Sequence, residues 1–171
     1  MIKACRVPAL AIMVLMAIGK PVLAQTVAPP DQFPAQVGDI AFDPAIDDPS
    51  FRVCDSQQVY QYYMMSSYYR RHKRAIADYF ISRYKAATNG TGYLTIRFII
   101  NCSGSAGRFR VYQLDSNYNN CRFGEDISGP LMNLVRSYKG WEPASSQGKN
   151  YDSYQYITFK LKKGAIESIS P

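Results

Sequence analysis

Alternation of apolar and polar residues predicts two β-strands in the middle of the chain. From Gly92 to Asn101, apolar side chains occupy every second position, a period typical of a strand with one buried face. The positions expected to be buried are Leu94, Ile96, Phe98 and Ile100. Gly104 and Gly107 supply a turn before the run Arg108–Val111. This part of the chain therefore predicts a β-hairpin.

Two segments with helical spacing flank this hairpin. Before it, from about Arg71 to Ala87, apolar positions recur every three or four residues, and Asn89-Gly90 is a typical stop. After it, beyond a polar loop at 115–120, a second amphipathic helix is predicted from Ile127, Leu131, Leu134, Val135 and Tyr138. Its start is left open, because Gly129-Pro130 suits a first turn better than a helix interior.

The two-residue period returns near the end of the chain. Between Tyr154 and Leu161, apolar Ile157 and Phe159 alternate with polar or aromatic residues, which predicts a third strand. Residues 165–169 are expected to form a short fourth strand, and residues 57–65 either a strand or an irregular lid. The predicted fold class is α+β, with two helices packed against one face of a small antiparallel sheet.

The first 24 residues are predicted to be a signal peptide. Lys3 and Arg6 precede an apolar run from Val7 to Gly19, and Val22-Leu23-Ala24 offers small residues before a cleavage point. The run is shorter than the roughly 20 residues of a spanning helix. We expect cleavage near Ala24, a periplasmic location and no stable membrane anchor after processing, with retention of the leader as an anchor the alternative.

Residues 25–50 are expected to be an acidic, proline-containing linker, extended and mostly unpacked, and residues 51–171 a single domain. The linker contains five aspartates and no Lys or Arg, whereas the chain from Phe51 onward has 17 basic and 8 acidic residues. A basic domain favours acidic partners or a membrane surface, although scattered solvated charges give the same balance.

Three cysteines follow the leader. In an oxidising compartment one pair is expected to be bridged. Cys54 with Cys102 is favoured, because a helix that runs back along the first strand would bring Cys54 toward the turn at Cys102. Cys102 with Cys121 is the rival pairing. The long, irregular spacings and the single histidine, His72, argue against a zinc site.

No residue pattern indicates a catalytic site or a cofactor site. His72 lies among Arg70, Arg71, Lys73 and Arg74 and has the pattern of a solvated helix residue. Glu125-Asp126 is expected at a helix start, where carboxylates favour the helix dipole. Trp141 is expected in the core.

Several segments, in order, resemble the C-terminal domain of TonB, the energy transducer of Gram-negative bacteria, and in particular a TonB-like variety seen in Bacteroidota. The matching residues are Gly92–Phe98, Asn101-Cys102, Gly104, Gly107–Phe109, Lys139–Trp141, Pro143 and Tyr156–Leu161. The resemblance covers about residues 70–169.

In that family a periplasmic domain pairs an exposed strand edge with a short segment of an outer-membrane receptor. The resemblance implies a non-enzymatic module whose partner is such a receptor, or another envelope protein, with a link to outer-membrane transport. It implies that the last strand supplies the edge, with partner-binding residues Tyr154, Tyr156, Thr158 and Lys160. Pairing of two copies through the same edge is left open.

A second hypothesis uses the tyrosines. Five of them, Tyr60, Tyr62, Tyr63, Tyr68 and Tyr69, cluster beside basic residues. Such a surface suits glycan or peptidoglycan, although tyrosine clusters are more often half-buried packing. Nucleic acid, which stacks on similar surfaces, is not expected for an exported protein. A hydrolase is the third and least favoured class.

Overall fold

A computed structural model describes residues 39–61, 68–86 and 89–170, and for residues 68–71 it describes the backbone alone. These residues form two helices, α1 (Tyr68–Arg83) and α2 (Glu125–Ser137). Neither helix has the length and apolarity needed to cross a bilayer. The strands of the described residues are β1 (Tyr60–Gln61), β2 (Gly92–Ile100), β3 (Ala106–Asp115), β4 (Ala144–Ser146), β5 (Lys149–Tyr151), β6 (Ser153–Lys162) and β7 (Ala165–Ser170).

The main sheet is mostly antiparallel. β2 pairs with β6 along its whole length, from Gly92 opposite Leu161 to Ile100 opposite Ser153, and pairs with β3 on its other side. β7 pairs with the second half of β6, and β1 runs parallel to the start of β6. β4 and β5 form a separate two-stranded ribbon. The α+β class predicted from the sequence is therefore confirmed in its general form, as is the hairpin of β2 and β3.

The core lies between the two helices and one face of this sheet. The alternating positions predicted on β2 are buried, as are Ile157, Phe159 and Leu161 on β6. The Phe80 ring of α1 meets Phe159 at a centroid distance of 5.4 Å. Trp141 is buried as predicted, and its Nε1 donates to the carbonyl of Val135 at 3.3 Å.

The end of α1 differs from the sequence prediction, and the start of α2, which the sequence left open, is now defined. α1 ends at Arg83 rather than at Asn89-Gly90, and Tyr84 N still donates to the carbonyl of Phe80 at 2.9 Å before the chain leaves the helix. α2 begins at Glu125, so Pro130 lies inside the helix. Because Pro130 falls in the second turn, its missing N–H removes a single helical bond.

The disulfide predicted between Cys54 and Cys102 is confirmed, with the two Cα atoms 6.0 Å apart. The carboxylate of Asp152, which is buried, accepts hydrogen bonds from Asp55 N at 2.7 Å and from Cys102 N at 2.8 Å. Asp152 therefore fixes the backbone on both sides of the crosslink. Cys121 is not part of it.

Residues 39–53, which we call the arm, pack on the sheet face opposite the helices. Ile40 is only 4% exposed and forms a second apolar cluster with Ile99 and Tyr154, which Phe51 and Val53 extend. The sequence predicted a mostly unpacked linker up to residue 50, and within residues 39–50 Ile40 and Asp47 are buried. The composition of residues 39–50 resembles a linker, but a few apolar side chains find partners far away in the sequence.

Candidate functional site

The four residues predicted to bind a partner lie on β6, and β6 is an interior strand. On the side away from β2, it pairs with β7 from Thr158 to Lys162 and with β1 at Ser153 and Tyr154. The prediction that β6 offers an open edge is therefore wrong over these residues. The cause is the turn at Lys163-Gly164, where both φ angles are positive (51° and 77°) and the chain folds back as β7.

Each of these four residues lies beside another residue of the chain. Tyr154 is buried, and its hydroxyl donates to Asp39 Oδ1 at 2.9 Å. Burial, with that hydrogen bond, raises the pKa of Tyr154 to about 12. Tyr156 lies opposite Arg97 of β2, the Thr158 hydroxyl is 3.0 Å from that of Thr95, and Lys160 Nζ lies 2.6 Å from Glu167 Oε2. Their binding to a partner stays a prediction.

β3 is the outer strand on the other side of the sheet. Its second half is covered, because Cys121 N donates to the carbonyl of Gln113 at 3.1 Å and Asp115 N donates to the carbonyl of Asn119 at 2.9 Å. From Ala106 to Val111, no described strand pairs with its outer side. Backbone direction alternates along a strand, so Val111, like Gln113 and Asp115, points its N–H and C=O away from β2.

A groove of about 820 Å³ lies beside this uncovered part of β3, and we call it the edge groove. The start of β3, Ala106–Phe109, forms one side, and the arm residues 45–48 and 50–52 form the other. Arg136 of α2, together with Asn101 and Ser105 of the hairpin turn, completes the lining. Ile46 remains 56% exposed at its rim. The groove combines apolar side chains with an unpaired strand edge.

The edge groove carries a surplus of positive charge. Arg52, Arg108 and Arg136 line it, together with Asp47 and Asp48. The Asp47 carboxylate is neutralised by Arg110, whose guanidinium lowers the pKa of Asp47 as the largest contribution. Arg136 lies over the Phe109 ring, 5.5 Å from its centroid. The groove therefore suits a ligand with negative charge.

Gly107 allows the arm to approach the sheet. The Phe51 ring lies where a Cβ at position 107 would be, so any larger residue would overlap it. The sequence suggested that Gly107 belongs to the hairpin turn, but it lies within β3, and Gly104 (φ +84°) serves the turn. Close approach of another segment, rather than turn geometry, accounts for this glycine.

The remaining cysteine, histidine and carboxylate side chains singled out in the sequence are not among those that line the edge groove. The sulfurs of Cys54 and Cys102 lie near a carboxylate oxygen of Asp152, but both sulfurs are used in the disulfide and cannot ligate a metal as thiolates. His72 is exposed on α1, and Glu125 and Asp126 occupy the first turn of α2 as predicted. The thiol of Cys121 has a pKa raised by burial and by Asp115.

Of the five tyrosines clustered at residues 60–69, the structure describes the side chain of Tyr60. Tyr60 packs edge-on against Tyr151, with ring centroids 5.1 Å apart. The side chains of Tyr62, Tyr63, Tyr68 and Tyr69 lie outside the described part of the chain. The proposed tyrosine surface is therefore represented here by one half-buried member.

Comparison of the chain with models of protein families, with curated proteins and with solved structures finds no match. Sequence reasoning had missed the edge groove, since its two sides come from segments more than 50 residues apart. A local signal was the presence of large apolar residues, among them Ile46 of the groove, in a segment rich in aspartate and proline.

Proposed function

We propose that this chain is an exported, non-enzymatic binding module of the cell envelope. Its partner is an extended segment of another envelope protein, such as an outer-membrane receptor. The segment adds a strand to the outer side of β3 and lies in the edge groove. This is the binding mode of the TonB C-terminal domain that the sequence resembles, moved from β6 to β3.

The observation that carries the proposal is the unpaired run of β3 beside a groove. Between Ala106 and Val111 no described strand pairs with the outer side of β3, while the groove of about 820 Å³ lies along its first residues. Unpaired backbone groups on a strand edge are a template for another chain. Arm residues and Arg136 both line the groove and would hold a bound segment alongside β3.

The charge of the edge groove favours an acidic segment. Arg52, Arg108 and Arg136 line the edge groove, and the carboxylate of Asp47, which also lines it, is already neutralised by Arg110. Acidic side chains on the added strand would meet these guanidinium groups at the rim. Such contacts raise the association rate and select among partners more than they add affinity.

The opposite edge of the sheet suits a partner less well. β7 is also an outer strand, but its exposed Glu167 is engaged with Lys160 and Lys162. The pocket at its start is about 200 Å³, too small for an extended segment of several residues.

The Cys54–Cys102 disulfide supports the periplasmic location in this proposal, because structural disulfides persist in oxidising compartments.

The proposal is tested by selecting binders from a displayed library of random 12-residue peptides on the immobilised mature protein. The decisive variant is Val111→Pro, which removes an outward N–H from an edge strand, where proline is tolerated. Val111→Ala is the matched control, because it trims the same partly buried side chain and keeps the N–H. Circular dichroism and the melting temperature of both variants establish that they are folded.

We expect acidic peptides to be enriched on the wild-type protein and on Val111→Ala, and to lose at least tenfold in affinity on Val111→Pro. Equal binding to folded Val111→Pro and Val111→Ala would refute strand addition at β3. Binding that is lost when Glu167→Pro is made in β7, and not in Val111→Pro, would place the site at the opposite edge.

A further inference from the structure

Tyr93 of β2 and Tyr118 of the loop after β3 form a stacked pair at the surface. Their ring centroids lie 5.1 Å apart with an interplanar angle of 13°, and their hydroxyl oxygens are 3.2 Å apart. Tyr118 is 68% exposed, the largest exposure among the large hydrophobic residues described. With one face against Tyr93, the Tyr118 ring presents a flat aromatic surface to solvent.

The backbone of Tyr118 adopts a conformation that tyrosine rarely takes, with φ at +64°. The turn around it is held by Asp115, whose carboxylate accepts hydrogen bonds from Asn117 N at 2.8 Å and Asn119 N at 2.9 Å. Tyr118 N donates to the Asp115 carbonyl at 3.1 Å. A bulky residue kept at positive φ by a built turn, with its ring exposed, suggests a functional role for the ring.

A pocket of about 200 Å³ opens beside Tyr93, and polar and charged residues are among those that line it. Thr91 and Ser116 contribute hydroxyl groups, while Lys160 and Lys162 contribute ammonium groups. Glu167 contacts both lysines, at 2.6 Å and 3.4 Å, so the three side chains together keep one surplus positive charge. The volume is below the 300 to 1,000 Å³ typical of drug-sized ligands and has room for about one ring.

We propose that the stacked tyrosines and the neighbouring pocket, which Tyr93 lines, bind an acidic oligosaccharide: one pyranose ring stacks on Tyr118, and the carboxylate of an adjacent ring reaches the pocket. The apolar C–H face of such a ring matches an exposed tyrosine face, and its hydroxyls match those of Thr91, Ser116 and the tyrosine pair. The carboxylate matches the surplus charge of Lys160 and Lys162. A neutral sugar would use only the first two features.

This site is separate from the edge groove, since the two share no lining residue. It also differs from the tyrosine cluster at residues 60–69 on which the glycan hypothesis was based. Failure of either proposal leaves the other intact, because the peptide site depends on Val111 and the sugar site on Tyr118.

The test is isothermal titration of the mature protein with a trimer of galacturonic acid, and with the neutral trimer of galactose as the comparison. We expect the acidic trimer to bind at least tenfold more tightly than the neutral one. Sodium acetate at the same concentration of carboxylate should not displace it. No binding of the acidic trimer, equal binding of both trimers, or displacement by acetate would overturn the proposal.

Three variants separate the aromatic and ionic contributions. Tyr118→Ala should weaken binding of the acidic trimer at least tenfold, whereas Tyr118→Phe should keep most of the affinity. Lys162→Gln should lower the preference for the acidic trimer. Tyr151→Ala is the matched control, because Lys149 lies 5.1 Å from the Tyr151 ring centroid but neither residue lines the pocket. Equal effects of Tyr118→Ala and Tyr151→Ala would contradict a site at Tyr118.

Discussion

Asp47 and Arg110 are 63 residues apart in the sequence, and they join the arm to β3 by a bidentate ion pair. Arg110 Nη1 donates to Asp47 Oδ1 at 2.7 Å, and Nη2 donates to Oδ2 at 2.8 Å. Nη2 also donates to the carbonyl of Ala41 at 2.7 Å. Because the arm forms one side of the edge groove, this ion pair helps to set the shape of the groove.

Replacing Asp47 with Asn should loosen the arm. The variant loses a charge-assisted, bidentate contact that is nearly shielded from solvent, so we expect the free energy of unfolding to fall by about 2 kcal/mol. Urea denaturation followed by circular dichroism measures this. Asp48→Asn is the control. The Asp48 carboxylate is next to Asp47 in sequence but lies in an exposed turn, where it accepts a hydrogen bond from Ser50 N that Asn can also accept. An equal loss in both variants would contradict the role given to the ion pair.

The same ion pair predicts a dependence on acid. Arg110 lowers the pKa of Asp47 in the folded protein, so the carboxylate stabilises the fold fully above its unfolded-state pKa of about 3.8. That contribution is lost as the pH falls through the lowered folded-state pKa. Urea denaturation from pH 6 to pH 2 should show this acid-dependent component in the wild-type protein. The Asp47→Asn variant should lack it, and identical pH profiles would refute the prediction.

Adding a methyl group at Gly107 should displace the arm. The Cβ of Gly107→Ala would overlap the Phe51 ring, so we expect a loss of about 1–3 kcal/mol in unfolding free energy. In a Phe51→Ala background the same substitution should cost much less, since the ring is absent. A double-mutant cycle by chemical denaturation measures this coupling, and additive effects would contradict the contact.

Removing the crosslink should destabilise the domain. The Cys54–Cys102 disulfide closes a loop with a sequence separation of 48, and chain entropy predicts a loss of about 4 kcal/mol for the Cys54→Ala, Cys102→Ala double variant. Denaturation of both proteins with and without reductant measures it. The wild type with reductant should match the double variant. A difference within about 0.5 kcal/mol between oxidised wild type and double variant would show that the crosslink adds nothing.

The local elements of this fold could be predicted because their signals are local. Alternation at Leu94, Ile96 and Phe98 predicted β2 and its buried face, and helical spacing at Ile127 and Leu131 predicted α2. The order of elements then placed the turn at Cys102 near enough to Cys54 to favour the observed disulfide.

The candidate sites could not be predicted because they depend on contacts between distant segments. Nothing near Asp47 indicates Arg110, and nothing near Gly107 indicates that Phe51 needs the space. A fourth strand at residues 165–169 was predicted, but its pairing with β6 was not, and this pairing leaves β3 and β7 as outer strands of the sheet. The stacking of Tyr118 on Tyr93 likewise follows from tertiary structure rather than from spacing.

Amide hydrogen exchange at Val111 tests the central claim most directly. The experiment uses an acidic 12-residue peptide enriched on the wild-type protein and compares exchange with and without it by NMR. If the peptide adds a strand to β3, the Val111 N–H exchanges readily in the unbound protein and at least tenfold more slowly in the complex, while amides of β7 do not change. Unchanged exchange at Val111, or protection confined to β7, would contradict strand addition at β3.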